Sequence, residues 1–110
     1  MSKRRIIKIL KGLGLSNNDA KVYIILAKHG PLKSREIASL SNLEEDCVHR
    51  SLKELQEIDI IKASIQNPLE FIAVPFEEVI DLFIEVKKEQ AKKMEETKKE
   101  LISSWKTITE

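Results

Sequence analysis

The chain has 110 residues, 42% of them hydrophobic, with a formal net charge of +1, one cysteine and two histidines. That length suits one domain with a modest core and an appended element. Near-neutral charge excludes a bulk nonspecific nucleic-acid binder, and Cys47 alone excludes an internal disulfide or a clustered-thiol metal site. His29 and His49, twenty residues apart, make no metal spacing.

The first segment, "KRRIIKILK", places Ile6, Ile7 and Leu10 on one helical face, with five basic side chains and no acid in residues 1–11. Lys8 and Lys11 interrupt its apolar run, so neither a membrane span nor a signal peptide is expected, and the chain reads as cytoplasmic. Gly12 and Gly14 end this lead-in helix. Ser16 caps the next, and Asp19 three residues on gives a weaker form of the capping box. Ala20, Tyr23, Ile24 and Ala27 then form a core-facing stripe that stops at Gly30-Pro31.

Ser34 is the cap candidate for "REIASL", with Ile37, Ala38 and Leu40 inward. Ser41-Asn42 makes a tight turn, because asparagine tolerates the left-handed conformation that such helix-helix turns demand. The following helix runs to about Glu57 with Val48, Leu52 and Leu55 as its buried row. Its opposite face carries Asp46, His49, Arg50, Lys53 and Glu57. Two β-branched runs, "IDIIKASI" and "EFIAV", flank Gln66-Asn67-Pro68-Leu69 and predict a hairpin. The expected fold is therefore mainly α with a small β-hairpin: a winged helix-turn-helix over residues 1–75.

From Phe76 to about Trp105 no Gly or Pro intervenes, which predicts one helix about 42 Å long that outruns the preceding domain. Val79, Phe83, Val86, Gln90, Met94, Thr97, Leu101, Ser104 and Ile108 step by fours and threes with one stutter near Gln90, a thin coiled-coil seam. Residues 76–110 are accordingly read as a dimerisation helix that uses Val79, Phe83, Val86, Gln90, Met94, Thr97, Leu101 and Trp105. Sequence does not fix the orientation of the pair.

The order "LGLS", "AKVY", "GPL", "REIA", a hairpin closing in "AVP" and a long helix behind it resembles the N-terminal winged-helix domain of TrmB-like archaeal transcriptional regulators, over nearly the whole chain. The resemblance implies a homodimeric regulator on double-stranded DNA. Family members with a sugar-sensing domain place it after the long helix, and this sequence, ending at Glu110, is expected to carry none. It also departs where the recognition helix opens, with Glu44, Glu45, Asp46 and Cys47, and at a wing tip reading "QNPLE" that lacks the usual arginines.

The three acids suit the positive end of the helix dipole, roughly 0.3–1 kcal/mol each, and Asn42 with Glu45 has capping-box spacing. By helical angle Glu44 turns inward and Glu45 to a flank, which leaves Asp46 on the reading face, four residues before Arg50. One acid about 8 Å from a phosphate costs about 0.5 kcal/mol in water, less than a few phosphate contacts return. The expected DNA-binding set is Lys33, Ser34, Arg35, Asp46, His49, Arg50, Lys53 and Lys62, with His49 and Arg50 nearest the base edges. The rival expectation is a protein-interaction module that uses the acidic helix and neutral wing. No nucleophile-base pair or glycine-rich phosphate loop suggests an enzyme, and no cofactor is expected.

Overall fold

The computed structural model describes residues 2–65 and 69–110, with Ser2 described by its backbone alone. Helix α1 (Ser2–Gly12) buries Leu10 and half-buries Ile6 and Ile7. Its last turn closes through Leu13 N–H to Leu10 O (3.1 Å) and Gly14 N–H to Lys11 O (2.9 Å), with Gly14 at φ +92°. Helix α2 (Asn17–His29) starts on the full capping box: Asp19 N–H donates to Ser16 Oγ and Ser16 N–H to Asp19 Oδ2, both at 3.1 Å.

The core face of α2 comprises Asp19, Ala20, Val22, Tyr23 and Leu26. Of the predicted stripe, Ala20 and Tyr23 are buried, Ile24 is half-buried and Ala27 is exposed, so the core face is shifted toward Val22 and Leu26. The reason is tertiary: α2 is central, packing on α1, α3, α4 and the hairpin, and the wider contact selects Val22 and Leu26. Tyr23 Oη donates to Val74 O at 2.7 Å across the core, and burial pushes its phenol pKa up to about 12. Helix α2 stops at Gly30, φ 80°.

Helix α3 (Ser34–Ser41) is capped by the backbone of Lys33, whose N–H donates to Glu36 Oε1 at 2.8 Å. Ser34 is its first helical residue and not its cap. Ile37 is buried and Ala38 half-buried, but Leu40 is 49% exposed and Ser41 is buried in its place. Asn42, at φ 60° and ψ 32°, ends α3 in the left-handed region as its residue type predicted. Helix α4 (Glu45–Glu57) buries Val48, Ser51, Leu52 and Leu55. Its N-cap is Glu44, so the Asn42–Glu45 capping box does not form: Asn42 is committed to closing α3.

After α4, Asp59 at φ 59° reverses the chain, with Ile60 N–H donating to Leu55 O at 3.2 Å. Strands β1 (Ile61–Ala63) and β2 (Phe71–Ala73) pair antiparallel, Ile61 with Ala73, Lys62 with Ile72 and Ala63 with Phe71. They are shorter than the apolar runs suggested, and the predicted turn at Gln66, Asn67 and Pro68 lies outside the described residues. Leu32 bridges Phe71 through two backbone hydrogen bonds (2.7 and 3.1 Å), which fastens the hairpin beside the start of α3.

Helix α5 (Phe76–Glu96) and helix α6 (Lys98–Thr109) replace the single helix predicted. They join at Thr97, φ −99° and ψ 4°, whose hydroxyl and N–H both donate to Lys93 O, at 3.0 and 3.1 Å. The two amount to about 32 and about 18 Å of helix. They account for a molecule 59 Å long and only 32 by 26 Å across. No helix among the described residues is long and apolar enough to cross a membrane.

Candidate nucleic-acid interface

Helices α3 and α4 meet at the turn built by Asn42, Leu43 and Glu44, held by Leu43 N–H to Ala38 O (3.3 Å) and to Ser41 Oγ (3.3 Å). Because Val48, Leu52 and Leu55 are buried, the opposite face of α4 must point to solvent, and Asp46, His49, Arg50, Lys53 and Glu57 are all exposed there. The start of α3 lies against that face: His49 Nε2 is 3.3 Å from Ser34 Oγ. Arg35 Nε is 3.7 Å from Glu45 Oε1. Lys33 and Lys62 are exposed and Ser34 is half-buried.

The structure thus brings Ser34 and His49 together and adds the unforeseen Arg35–Glu45 contact. Both partners are largely exposed, so the pair is worth little in stability, but it places one acid of the first turn beside a cation. Asp46 and Arg50 form no ion pair within 4.0 Å; the ion pairs among the described residues are Arg35–Glu45 and Glu85–Lys88. Glu44 is exposed, not inward, since it precedes the helix as its N-cap. The basic side chains of α1 belong to a helix that packs on α2 and α5.

Sequence reasoning missed a polar contact behind the interface. Asp19, 1% exposed and hydrogen-bonded to its Ser16 cap, lies beside Ser51 and Glu54 of α4. Burial raises the Asp19 pKa, but hydrogen bonds from Glu54, Ser51 and the Ser16 amide and hydroxyl together hold it below the usual 3.8. Glu54 is raised above 4.5, first by its hydrogen bond to Asp19 and then by that residue's charge. The Ser-x-x-Asp spacing revealed the cap; only packing brings α4 onto it. No group of His, Cys, Asp and Glu among the described residues could hold a metal ion.

The predicted seam divides in two. Val79 is fully buried in the chain's own core and is not available to a partner. Phe83 is half-buried against Gly12: a Cβ there would lie 2.6 Å from Phe83 Cε1, so glycine is what admits the ring. Lys87 Nζ lies 5.3 Å from the Phe83 ring centroid. Val86 is half-buried, whereas Gln90, Met94, Thr97, Leu101 and Trp105 are exposed, and a shallow groove runs along Gln90, Lys93, Met94, Thr97 and Leu101. A second groove lies between α1 and α5, lined by Arg5, Lys8, Ile9 and Phe83.

Residues 10–77 match the family described as "Sugar-specific transcriptional regulator TrmB". Among solved structures, the chain is similar to TrmBL2, an archaeal chromatin protein, with a TM-score of 0.78 and 24% identity over 98% of this chain. It spans 42% of TrmBL2. A possible transcriptional regulator from Methanosarcina mazei gives 0.75 and 19% identity over 84% of this chain and 85% of that one. Staphylococcus aureus MarR, solved with salicylate and kanamycin, gives 0.58 and 22% identity over 97% and 79%. No curated protein matches the chain.

Proposed function

This chain belongs to the TrmB family of transcriptional regulators, and from that premise we propose that it binds duplex DNA as a homodimer and regulates transcription. Residues 1–75 serve as the DNA-binding unit and residues 76–110 as the dimerisation helices. One observation carries the reading: the N-terminus of α3 and the outward face of α4 form a single exposed surface, joined at Ser34 and His49. Helix α4 enters the major groove, where His49 and Arg50 reach base edges. Lys33, Arg35, Lys53, Lys62 and the first amides of α3 hold phosphates. Asp46 stands on the same face and limits affinity, while Glu45 is partly neutralised by Arg35.

Phosphate neutralisation makes such binding salt-dependent, with a slope of roughly −0.9 per contact in log affinity against log salt. Titrating a short duplex by fluorescence anisotropy at several salt concentrations tests the proposal. Replacing Arg35 and Lys53 together by alanine should flatten the slope by roughly 2. An unchanged slope places the contacts elsewhere. Absence of salt-dependent binding by the wild type favours the rival reading, a protein-interaction module using the exposed acidic turn Glu44–Asp46.

A further inference from the structure

The hairpin leaves three large apolar side chains open: Ile65 is fully exposed, Leu69 is 54% and Ile72 is 44% exposed, while Ile61 and Phe71 face the core. One exposed aliphatic residue is ordinary, but Ile65 and Leu69, opposite each other by the strand register, make an apolar pair that calls for an occupant, while Ile72 lies on the other face. The hairpin offers little charge beyond the Lys62 contact, since Lys62 and Glu70 are the two charged residues between Ile61 and Ala73.

The pairing of the strands sets where this apolar edge points. In the antiparallel Leu32–Phe71 bridge, the chain running from Leu32 to Ser34 travels alongside β2 toward Leu69. Leu69 therefore lies about 7 Å beyond Leu32, on the side where α3 begins. Ser34 at that start is 3.3 Å from His49 on the outward face of α4. Leu69 just ahead of β2, the start of α3 and the reading face of α4 are thus neighbours. With α4 in a major groove, a surface continuous with its outward face lies within reach of the same duplex.

Isoleucine and leucine are among the side chains that wedge between base steps from the minor groove and kink the duplex, most readily at flexible pyrimidine-purine steps. We infer that this wing engages duplex DNA through apolar insertion of Ile65 and Leu69, so that binding bends the duplex and selects deformable steps. The inference rests on the DNA-binding reading above and deepens it: beside the Lys62 phosphate contact, the wing reads deformability.

The test uses the full chain and two short duplexes carrying donor and acceptor fluorophores at their ends, one with central TpA steps and one with a stiff A-tract. Wild type should increase energy transfer in the TpA duplex and bind it roughly tenfold more tightly. Ile65→Ser with Leu69→Ser should keep the salt slope and the melting temperature, because both residues are exposed, but lose the bend and the preference. Ile65→Phe, a larger wedge, should retain them. A duplex left straight by the wild type, or bent equally by the double-serine variant, overturns the inference, and the second result would mean that the bend comes from other contacts. A wild type that binds neither duplex defeats the DNA-binding reading as well.

Discussion

At the scale of single residues, Asp19 at the start of α2 and Glu54 in the middle of α4 influence each other's titration. The lowered Asp19 pKa contributes stability above its unfolded value of 3.8, lost as pH falls through the folded value. The raised Glu54 pKa works oppositely: its contribution is present below 4.5 and gone once pH rises through the folded value. At pH 7 the Asp19 contribution remains and the Glu54 charge only repels it. Glu54→Gln keeps a donor for Asp19 and removes that charge. Its melting temperature should exceed that of wild type at pH 7, with the difference closing below pH 4.5, as followed by circular dichroism. A constant difference across that range would detach Glu54 from Asp19. Ser16→Ala, which removes the cap itself, should cost about 1 kcal/mol in urea denaturation.

Among the elements, the turn between α3 and α4 decides whether a reading face exists, since it sets the angle at which α4 leaves the core. Asn42 supplies it at φ 60°, a conformation that costs most L-residues about 1–2 kcal/mol. Asn42→Ala should therefore lose about 1–2 kcal/mol in urea denaturation, whereas Asn42→Gly should stay near wild type. Equal losses from both would mean that the side chain, not the backbone conformation, does the work. The break between the C-terminal helices falls at Thr97, where α5 gives way to the fully exposed α6.

For the molecule as a whole, the governing fact is that α5 and α6 run past anything in the same chain that could cover them. Beyond Val86 every residue is exposed, and Met94, Leu101, Ile102, Trp105 and Ile108 lie open on that stretch. Burial would stabilise by roughly 1.5–3 kcal/mol per large side chain, enough to drive pairing of two protomers. Sedimentation equilibrium at tens of micromolar should give a dimer for the full chain and a monomer after truncation at Lys87. Leu101→Lys in the full chain should weaken the dimer without unfolding the domain. Emission from Trp105, the one tryptophan in the sequence, should shift to the blue as the wild type associates. A full chain that remains monomeric would end the dimer proposal.

The sequence by itself determined what local chemistry decides: the caps at Ser16 and Asn42, the stops at Gly14 and Gly30, and the buried row Val48, Leu52 and Leu55 that turns His49 and Arg50 outward. These depend on neighbours within a turn, so spacing reveals them. It misplaced what depends on contacts made at a distance. The phase of α2 was set by four surrounding elements, Leu40 gave its inward place to Ser41, and Glu45 turned to Arg35 of another helix. The seam shows the division most sharply, because one periodic row of apolar residues reads the same whatever covers it. Tertiary structure alone assigned Val79 to the chain's own core, set Phe83 against Gly12 and left Met94, Leu101 and Trp105 uncovered, because the folded domain ends before the helix does.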